Sequence, residues 1–415
     1  MNVRRRGSAA VLAAAAVIGA AAPAIAADPS PSASASASKP AALFGTGDPQ
    51  FDGVWRQSFA LLAQDTVGVI PSPKAVEWLT GQQCANGAFA PFRADPAKAC
   101  DAKTMVDTNQ TAAAVQALWA VGGHGDVVED ALDWLKSVQN KDGGWGYAAG
   151  GPSDANSTSL VIGALTATET DPTKVTKGGK SPYDALLTFA LPCSKDDGAF
   201  AFQPDKDGKL LPNADATAAG VLGSLGKGLV TEPGKKAAAA TCADKPDREQ
   251  AAANGAAYLA AAVAKDGHLK SALGGSPDQP DYGNTADAVV ALAAQGGADK
   301  AAEPLAWLEK NAAKWAKESG PSAYAQLIFA AHATGTDPRD FGGTDLVEGL
   351  NATGPAPQGA KASDSATASD QAADGNENEK SDDSGFGVWW FVGVCLVFGI
   401  GIGFLLSGRK RKQQP

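Results

Sequence analysis

The sequence predicts an all-α protein whose main domain is a double ring of helical hairpins, an α6/α6 toroid. Three observations lead there. A capped helix start, Asp107-Thr-Asn-Gln-Thr111 running into an Ala-rich apolar stretch to Leu118, returns degenerately down the chain. A second motif alternates with it, an amphipathic helix followed by a Gly-aromatic turn, fullest from Ala131-Leu-Asp-Trp134-Leu to Gln139-Asn-Lys-Asp-Gly-Gly-Trp145. In both, the apolar positions recur at helical rather than alternating spacing.

Taken in order, an opening helix is expected near residues 51–64. An outer helix follows at Ala75-Val-Glu-Trp78-Leu, closed by Asn86-Gly-Ala-Phe89. The first capped inner helix starts at Asp107, whose short oxygen-bearing side chain accepts from the free N–H groups of a helix's first turn. The outer helix at Trp134 ends in Gly143-Gly-Trp145, where glycine supplies the backbone reversal. Asp154-Ala-Asn-Ser157-Thr158 then opens an inner helix reaching Leu165. Ala185-Leu-Leu-Thr-Phe189 with Asp197-Gly-Ala-Phe200 repeats the outer unit, and Asn213-Ala-Asp215-Ala-Thr217 the inner one. Ala256-Ala-Tyr258-Leu with Asp266-Gly-His-Leu269 precedes Asp281-Tyr-Gly-Asn284-Thr285. Leu305-Ala-Trp307-Leu, its turn decayed, precedes the faint copy Ser319-Gly-Pro-Ser-Ala323, and a closing helix falls near residues 344–350. Such hairpins cannot bury their apolar faces alone, so they stack on their neighbours. The Ala-rich helices suit a crowded inner ring and the Trp-Leu helices an outer one; an open solenoid is the competing arrangement.

The two ends of the chain carry different signals. Residues 1–26 fit a secretory signal peptide, with Arg4-Arg5-Arg6, an apolar stretch and the small-x-small site Ala24-Ile25-Ala26. Residues 27–47 are a low-complexity spacer, 48–351 the helical domain, and 352–385 an Ala/Ser/Asp/Glu/Asn stalk with the composition of disorder. Residues 386–406 are uncharged and long enough to cross a bilayer, with Trp389 and Trp390 near the start. The basic tail 407–415 places itself in the cytoplasm, and no Leu-Pro-x-Thr-Gly sorting signal precedes the span. The expected protein is therefore exported to the cell surface and tethered by a single C-terminal pass. Setting aside the seven basic residues of signal and tail takes the formal charge from −10 to −17. That disfavours nucleic acid as a partner.

Four cysteines fall in the exported part, where an oxidising compartment favours disulfides. Cys84–Cys100 and Cys193–Cys242 are the expected pairs, because each brackets one inter-helix loop. Metal ligation is the competing reading. It has no Cys-x-x-Cys, and only His124, His268 and His332 to draw on.

Gln139-Asn-Lys-Asp-Gly-Gly-Trp145 resembles the QW-type repeat of the prenyltransferase, squalene cyclase and cobalamin-carrier α/α-toroids. The resemblance covers residues 48–351 and is most specific between 107 and 165. Enzymes of that kind make sharp demands. The cyclases need an acid in an Asp-x-Asp-Asp or Asp-Cys-Thr motif and an aromatic cavity for carbocations. Neither motif occurs, Asp196-Asp197 sits in an outer turn, and the inner helices read as poor in aromatics. Prenyltransferases need an Asp/Cys/His zinc site, which three scattered histidines do not offer. A Cys-Gly-Glu-Gln thioester and a lyase-like Tyr/His/Arg group are also missing. The domain is expected to be a non-enzyme.

Met105-Val106-Asp107-Thr108 is similar to the Val-Asp-Thr segment of the intrinsic factor and transcobalamin carriers. That resemblance implies a cobalamin-binding toroid that assists corrinoid uptake, its ligand held at the inner-helix caps. Asp107 matches the Val-Asp-Thr aspartate, and Asp281 and Asn284 match the family's Asn-x-x-Ser-Thr start. Asp154 and Ser157 match the cap one repeat earlier, and Asn109, Gln110 and Asp215 lie on the same helix starts. Lys103 stands where some carriers place a cobalt-reaching histidine. The family's small β-domain lid has its place taken here by the stalk and span, which implies either a separate lid protein or a low affinity, and a surface binder of this kind would serve a membrane importer as partner. A protein- or glycan-binding surface module and a degenerate cyclase- or lyase-like enzyme are the alternatives. Helix capping alone, worth ~1 kcal/mol per cap, accounts for each of these residues individually.

Overall fold

The computed structural model describes residues 41–235, 242–271 and 279–359. The expected signal peptide, most of the spacer and stalk, the membrane span and the basic tail lie outside them. Among the described residues no helix is long and apolar enough to cross a membrane. The fold is all-α, with isolated β-bridges and no strand among the described residues.

Thirteen α-helices are present among the described residues: α1 Gly53–Thr66, α2 Pro73–Gly81, α3 Thr108–Val121, α4 Gly125–Ser137, α5 Ala155–Ala167, α6 Pro182–Leu187, α7 Cys193–Asp196, α8 Ala214–Ser224, α9 Arg248–Val263, α10 Tyr282–Gly296, α11 Ala298–Ser319, α12 Pro321–Thr334 and α13 Leu346–Asn351. Six of them pack in a closed cycle. α1 lies against α3, α3 against α5, α5 against α8, α8 against α10, α10 against α12, and α12 returns to α1. Each carries its sequence neighbour outside it: α2, α4, α6, α9, α11 and α13. Helix α7 is one extra turn at the Cys193 disulfide.

Burial follows from position. Every residue of α3 from Thr108 to Leu118 is buried, so the helix is enclosed on all sides. Outer helix α4 buries only Val128, Ala131, Leu132, Trp134 and Leu135, and turns Glu129, Asp130, Asp133 and Lys136 to solvent. That is the stripe of an amphipathic surface helix. Alanine lets the inner helices approach one another: Ala112, Ala113, Ala114, Ala286, Ala288 and Ala291 are all fully buried.

The two alternating motifs are bonded to each other. The amide of the turn residue donates to the hydroxyl of the inner-helix threonine in four repeats: Phe89 to Thr111 (3.0 Å), Trp145 to Thr158 (3.1 Å), Phe200 to Thr217 (2.9 Å) and Leu269 to Thr285 (3.0 Å). In return the cap residue's amide donates to the turn residue's carbonyl, as from Asp154 to Trp145 at 3.0 Å. The reversal at Gly143 has φ +90°, and a Cβ there would strike the Ser181 carbonyl oxygen, so glycine is required. Repeats are joined as well. An N–H at the start of α1, α3 and α5 donates to the carbonyl two residues beyond the next aromatic: Val54 to Pro91, Thr108 to Tyr147 and Ala155 to Phe202.

Both disulfides are formed as expected, Cys84–Cys100 with Cα atoms 5.6 Å apart and Cys193–Cys242 at 5.8 Å. The packed region is longer than the expected 48–351. Leu43 and Phe44 are buried, and Gln57 Oε1 accepts from the Phe44 amide at 3.0 Å. Downstream, Gln358 donates from its backbone to Ile70 and from its side chain to Pro71. The last spacer residues and the first stalk residues thus belong to the fold. Their polar, small-residue surroundings hid two large apolar anchors in the sequence.

Candidate functional site

Four inner helices are capped by the side chains that the repeat places there. The carboxylate of Asp107 accepts from the Gln110 amide at 2.8 Å, Asp154 from Ser157 at 2.7 Å, and Asp281 from Asn284 at 3.0 Å. Asn213 Oδ1 accepts from Ala216 at 2.8 Å. The faint fifth copy has no such cap: α12 opens on Gly320 and Pro321, and proline brings no N–H to satisfy.

A cavity of about 130 Å³ runs down the axis of the helix cycle. Asn109, Asp154, Ser157 and Asp215 line it, whereas Asp107, Gln110, Asp281 and Asn284 do not. Gln110 instead donates to the Phe51 carbonyl at 3.2 Å, and Asn284 Nδ2 folds back on Asp281 Oδ2 at 2.8 Å. These residues therefore divide into a group facing the cavity and a group bonded within the helix framework.

Several lining residues were invisible to the repeat pattern. Asp287, two residues after Thr285, projects from α10. Gln326 on α12 donates to both its carboxylate oxygens, at 3.2 and 3.3 Å. On the adjacent α8, Asp215 Oδ2 accepts from Asn156 Nδ2 at 2.6 Å. Both carboxyl groups are half-buried, their open surface lying on the cavity. Burial pushes Asp287 up to about 8, and the charge on Asp215 adds to it. Burial likewise raises Asp215 to about 6, against the Asn156 hydrogen bond. Burial, and for Asp287 the like charge beside it, thus lifts both carboxyl groups above the ordinary carboxylate range. Asp107 and Asp154 are also pushed up to about 7 by burial, which outweighs their cap hydrogen bonds.

The wall is aromatic where the sequence read as poor in aromatics. Trp55 and Phe59 from α1, Phe329 from α12, and Tyr147 and Phe202 all line the cavity. The last two come from turns, two residues beyond Trp145 and Phe200, so no inner-helix pattern contains them. The expectation that the ring's interior is poor in aromatics is corrected accordingly. Asn213-Ala-Asp215-Ala is a partial match to Asp-x-Asp-Asp that keeps the central carboxylate and replaces the outer two.

One end of the cycle is closed by the loop 226–234. The Leu229 amide donates to Gln116 Oε1 on α3 at 2.9 Å, and Gly234 donates to the Ala293 carbonyl on α10 at 2.9 Å. Glu232 Oε1 lies 2.8 Å from His332 Nε2 on α12. Gly228 presses on α5 so closely that a Cβ on Gly163 would lie 2.8 Å from its Cα. Lys227, Gly228 and Leu229 thereby form the floor of the cavity. The capped rim is the opposite end.

No family model matches the chain. A drimenyl diphosphate synthase from Streptomyces showdoensis is 35% identical over 108 residues, which are 24% of this chain and 19% of that protein. The match thus spans about a fifth of the relative's length. Among solved structures, an ent-copalyl diphosphate synthase from Streptomyces platensis aligns over 68% of this chain and 50% of its own, with TM-score 0.46 and 16% identity. A protein from Actinoplanes aligns over 71% and 93%, with TM-score 0.47 and 15% identity. The named similarity is to terpene synthase- and cyclase-like proteins. The 35% match overturns two expectations, that the domain is a cobalamin carrier and that it is no enzyme. The Val-Asp-Thr likeness is met by capping: Asp107 is buried beneath the rim and does not line the cavity.

Proposed function

We propose that the closed helix cycle is an α6/α6 toroid of the terpenoid-cyclase type, and that it protonates and cyclises an isoprenoid alkene. The observation that carries this reading is the Asp215–Asp287 pair, raised to about 6 and 8 and set in a cavity walled by five aromatic side chains. An acid for an alkene must hold its proton at working pH and be screened from water. Asp287 meets the first need, with Asp215 carrying the negative charge that keeps the proton on it, and its open surface faces the aromatic-walled cavity. In the step itself the Asp287 O–H breaks and the alkene's π pair forms a new C–H bond. The resulting cation sits on the neighbouring carbon, facing Trp55, Phe59 and Phe329, and a second alkene closes onto it. Loss of a proton from the cyclised cation leaves a product isomeric with the substrate.

The oxidised cysteine pairs and the signal-like and span-like ends support an exported, membrane-tethered location for this chemistry. The test is to incubate the full chain with linear prenyl chains of several lengths, as alcohols and as diphosphates, and to analyse the extract by gas chromatography and mass spectrometry. Cyclised isomers lost in Asp287→Asn would uphold the reading. Unchanged substrates throughout would sink it.

A further inference from the structure

The polar groups of the cavity specify more than an alkene. Three carboxyl groups line it, Asp154, Asp215 and Asp287, against one cation, Lys227, which lies on the floor loop away from the capped rim. A diphosphate seeks the reverse, a cluster of Arg or Lys.

Helix N-termini are the usual substitute, because their free N–H groups and dipole bind phosphate. Six of them surround this ring, and part of their capacity is already used. The amides of Gln110, Ser157, Ala216 and Asn284 donate to cap side chains, three of them carboxylates. Those of Val54, Thr108 and Ala155 donate to carbonyls of the next repeat. α12 opens on Pro321, which has no N–H. Among the described residues no three His, Cys, Asp or Glu side chains gather as a metal site.

What the cavity does offer is neutral hydrogen bonding. Asn109 Oδ1 and Asn156 Oδ1 are buried acceptors with no partner, as is the Ser159 hydroxyl, and all three residues line the cavity. Asn109 is 8% exposed and Ser159 4%. Buried acceptors left unpaired are costly, so a ligand that supplies an O–H is favoured there. Resting on the cyclase reading above, we infer that the substrate is an uncharged isoprenoid bearing a hydroxyl group, bound through Asn109 and Asn156, and that the diphosphate ester is rejected.

The experiment is a calorimetric titration of the full chain with farnesol and with farnesyl diphosphate, the latter with and without Mg²⁺. Binding of the alcohol at least about tenfold tighter than the ester in both conditions is expected. Asn109→Leu should weaken farnesol about five- to tenfold, the loss of one hydrogen bond, and leave the hydrocarbon farnesene within about twofold. Equal or tighter binding of the diphosphate, or binding of neither, overturns the inference. An equal loss for farnesol and farnesene overturns the role of Asn109. Farnesol that binds but yields no cyclised product sinks the cyclase reading and leaves the binding preference intact.

Discussion

The side-chain amide of Asn156, on α5, reaches across to α8 and donates to Asp215 Oδ2 at 2.6 Å. That bond favours the charged form of Asp215, and the charge in turn opposes ionisation of Asp287. Asn156 therefore acts on the acid through its partner. Removing it, as Asn156→Leu, should let Asp215 hold a proton to higher pH and relieve the repulsion on Asp287. The alkaline limb of the pH–activity profile should then move to lower pH. A limb that stays in place would separate Asn156 from the acid pair.

Asp287 itself should set that limb. Product formation is expected to fall as pH rises through about 8, the value to which burial lifts its carboxyl group. Asp287→Asn should reduce turnover by about 10²–10⁴-fold, the usual contribution of a general acid. Initial rates between pH 5 and 9 for both proteins test this.

The same carboxyl groups give stability a definite sign against pH. Asp107, Asp154, Asp215 and Asp287 all have folded values raised above the ordinary carboxylate value of 3.8. The folded state then binds more protons than the unfolded chain between pH 4 and about 8. Their contribution is fully present below the unfolded value and is lost as pH rises through the folded ones. Urea midpoints should fall across that window, less steeply in Asp287→Asn. A midpoint rising with pH over the same range would contradict the burial of these groups.

Thr158 joins the two motifs by accepting from the Trp145 amide at 3.1 Å in a fully buried setting. Thr158→Val keeps the shape but strands that amide, at a cost of ~1–3 kcal/mol. Thr158→Ser retains the hydroxyl and should lose less. Denaturant melts of the two variants provide the comparison.

The disulfides should differ in value. Cys193–Cys242 spans 49 residues and Cys84–Cys100 spans 16. Chain entropy makes the longer closure worth about 1 kcal/mol more, on a base of ~3 kcal/mol. Double Cys→Ser replacement of each pair, followed by thermal melting, measures the difference.

Much of the fold was legible because four repeats write the same hydrogen bonds into their sequence. An Asp or Asn caps the helix, a Thr four residues on receives the turn residue's amide, and a glycine reverses the chain in the turn. The cavity was less legible because its chemistry is what capping does not require. Asp215 follows a cap, Asn213, that had already done the work, and Asp287 lies in the apolar run Ala286-Asp-Ala-Val-Val290, where no cap is needed. A spare acid in an Ala-rich inner helix was the available signal. Tyr147, Phe202 and the floor loop left none, because their positions depend on the paths of turns and not on a period.

The floor loop has a kinetic consequence. Among the described residues, Gln116, Gly163, Ala293 and His332 hold the 226–234 segment across one end of the ring, so access to the cavity is expected past the capped rim. Whatever is made at the bottom must back out past the capped rim before another molecule descends. In the proposed reaction, a cyclised product leaving by the rim would compete with entering substrate for the same opening.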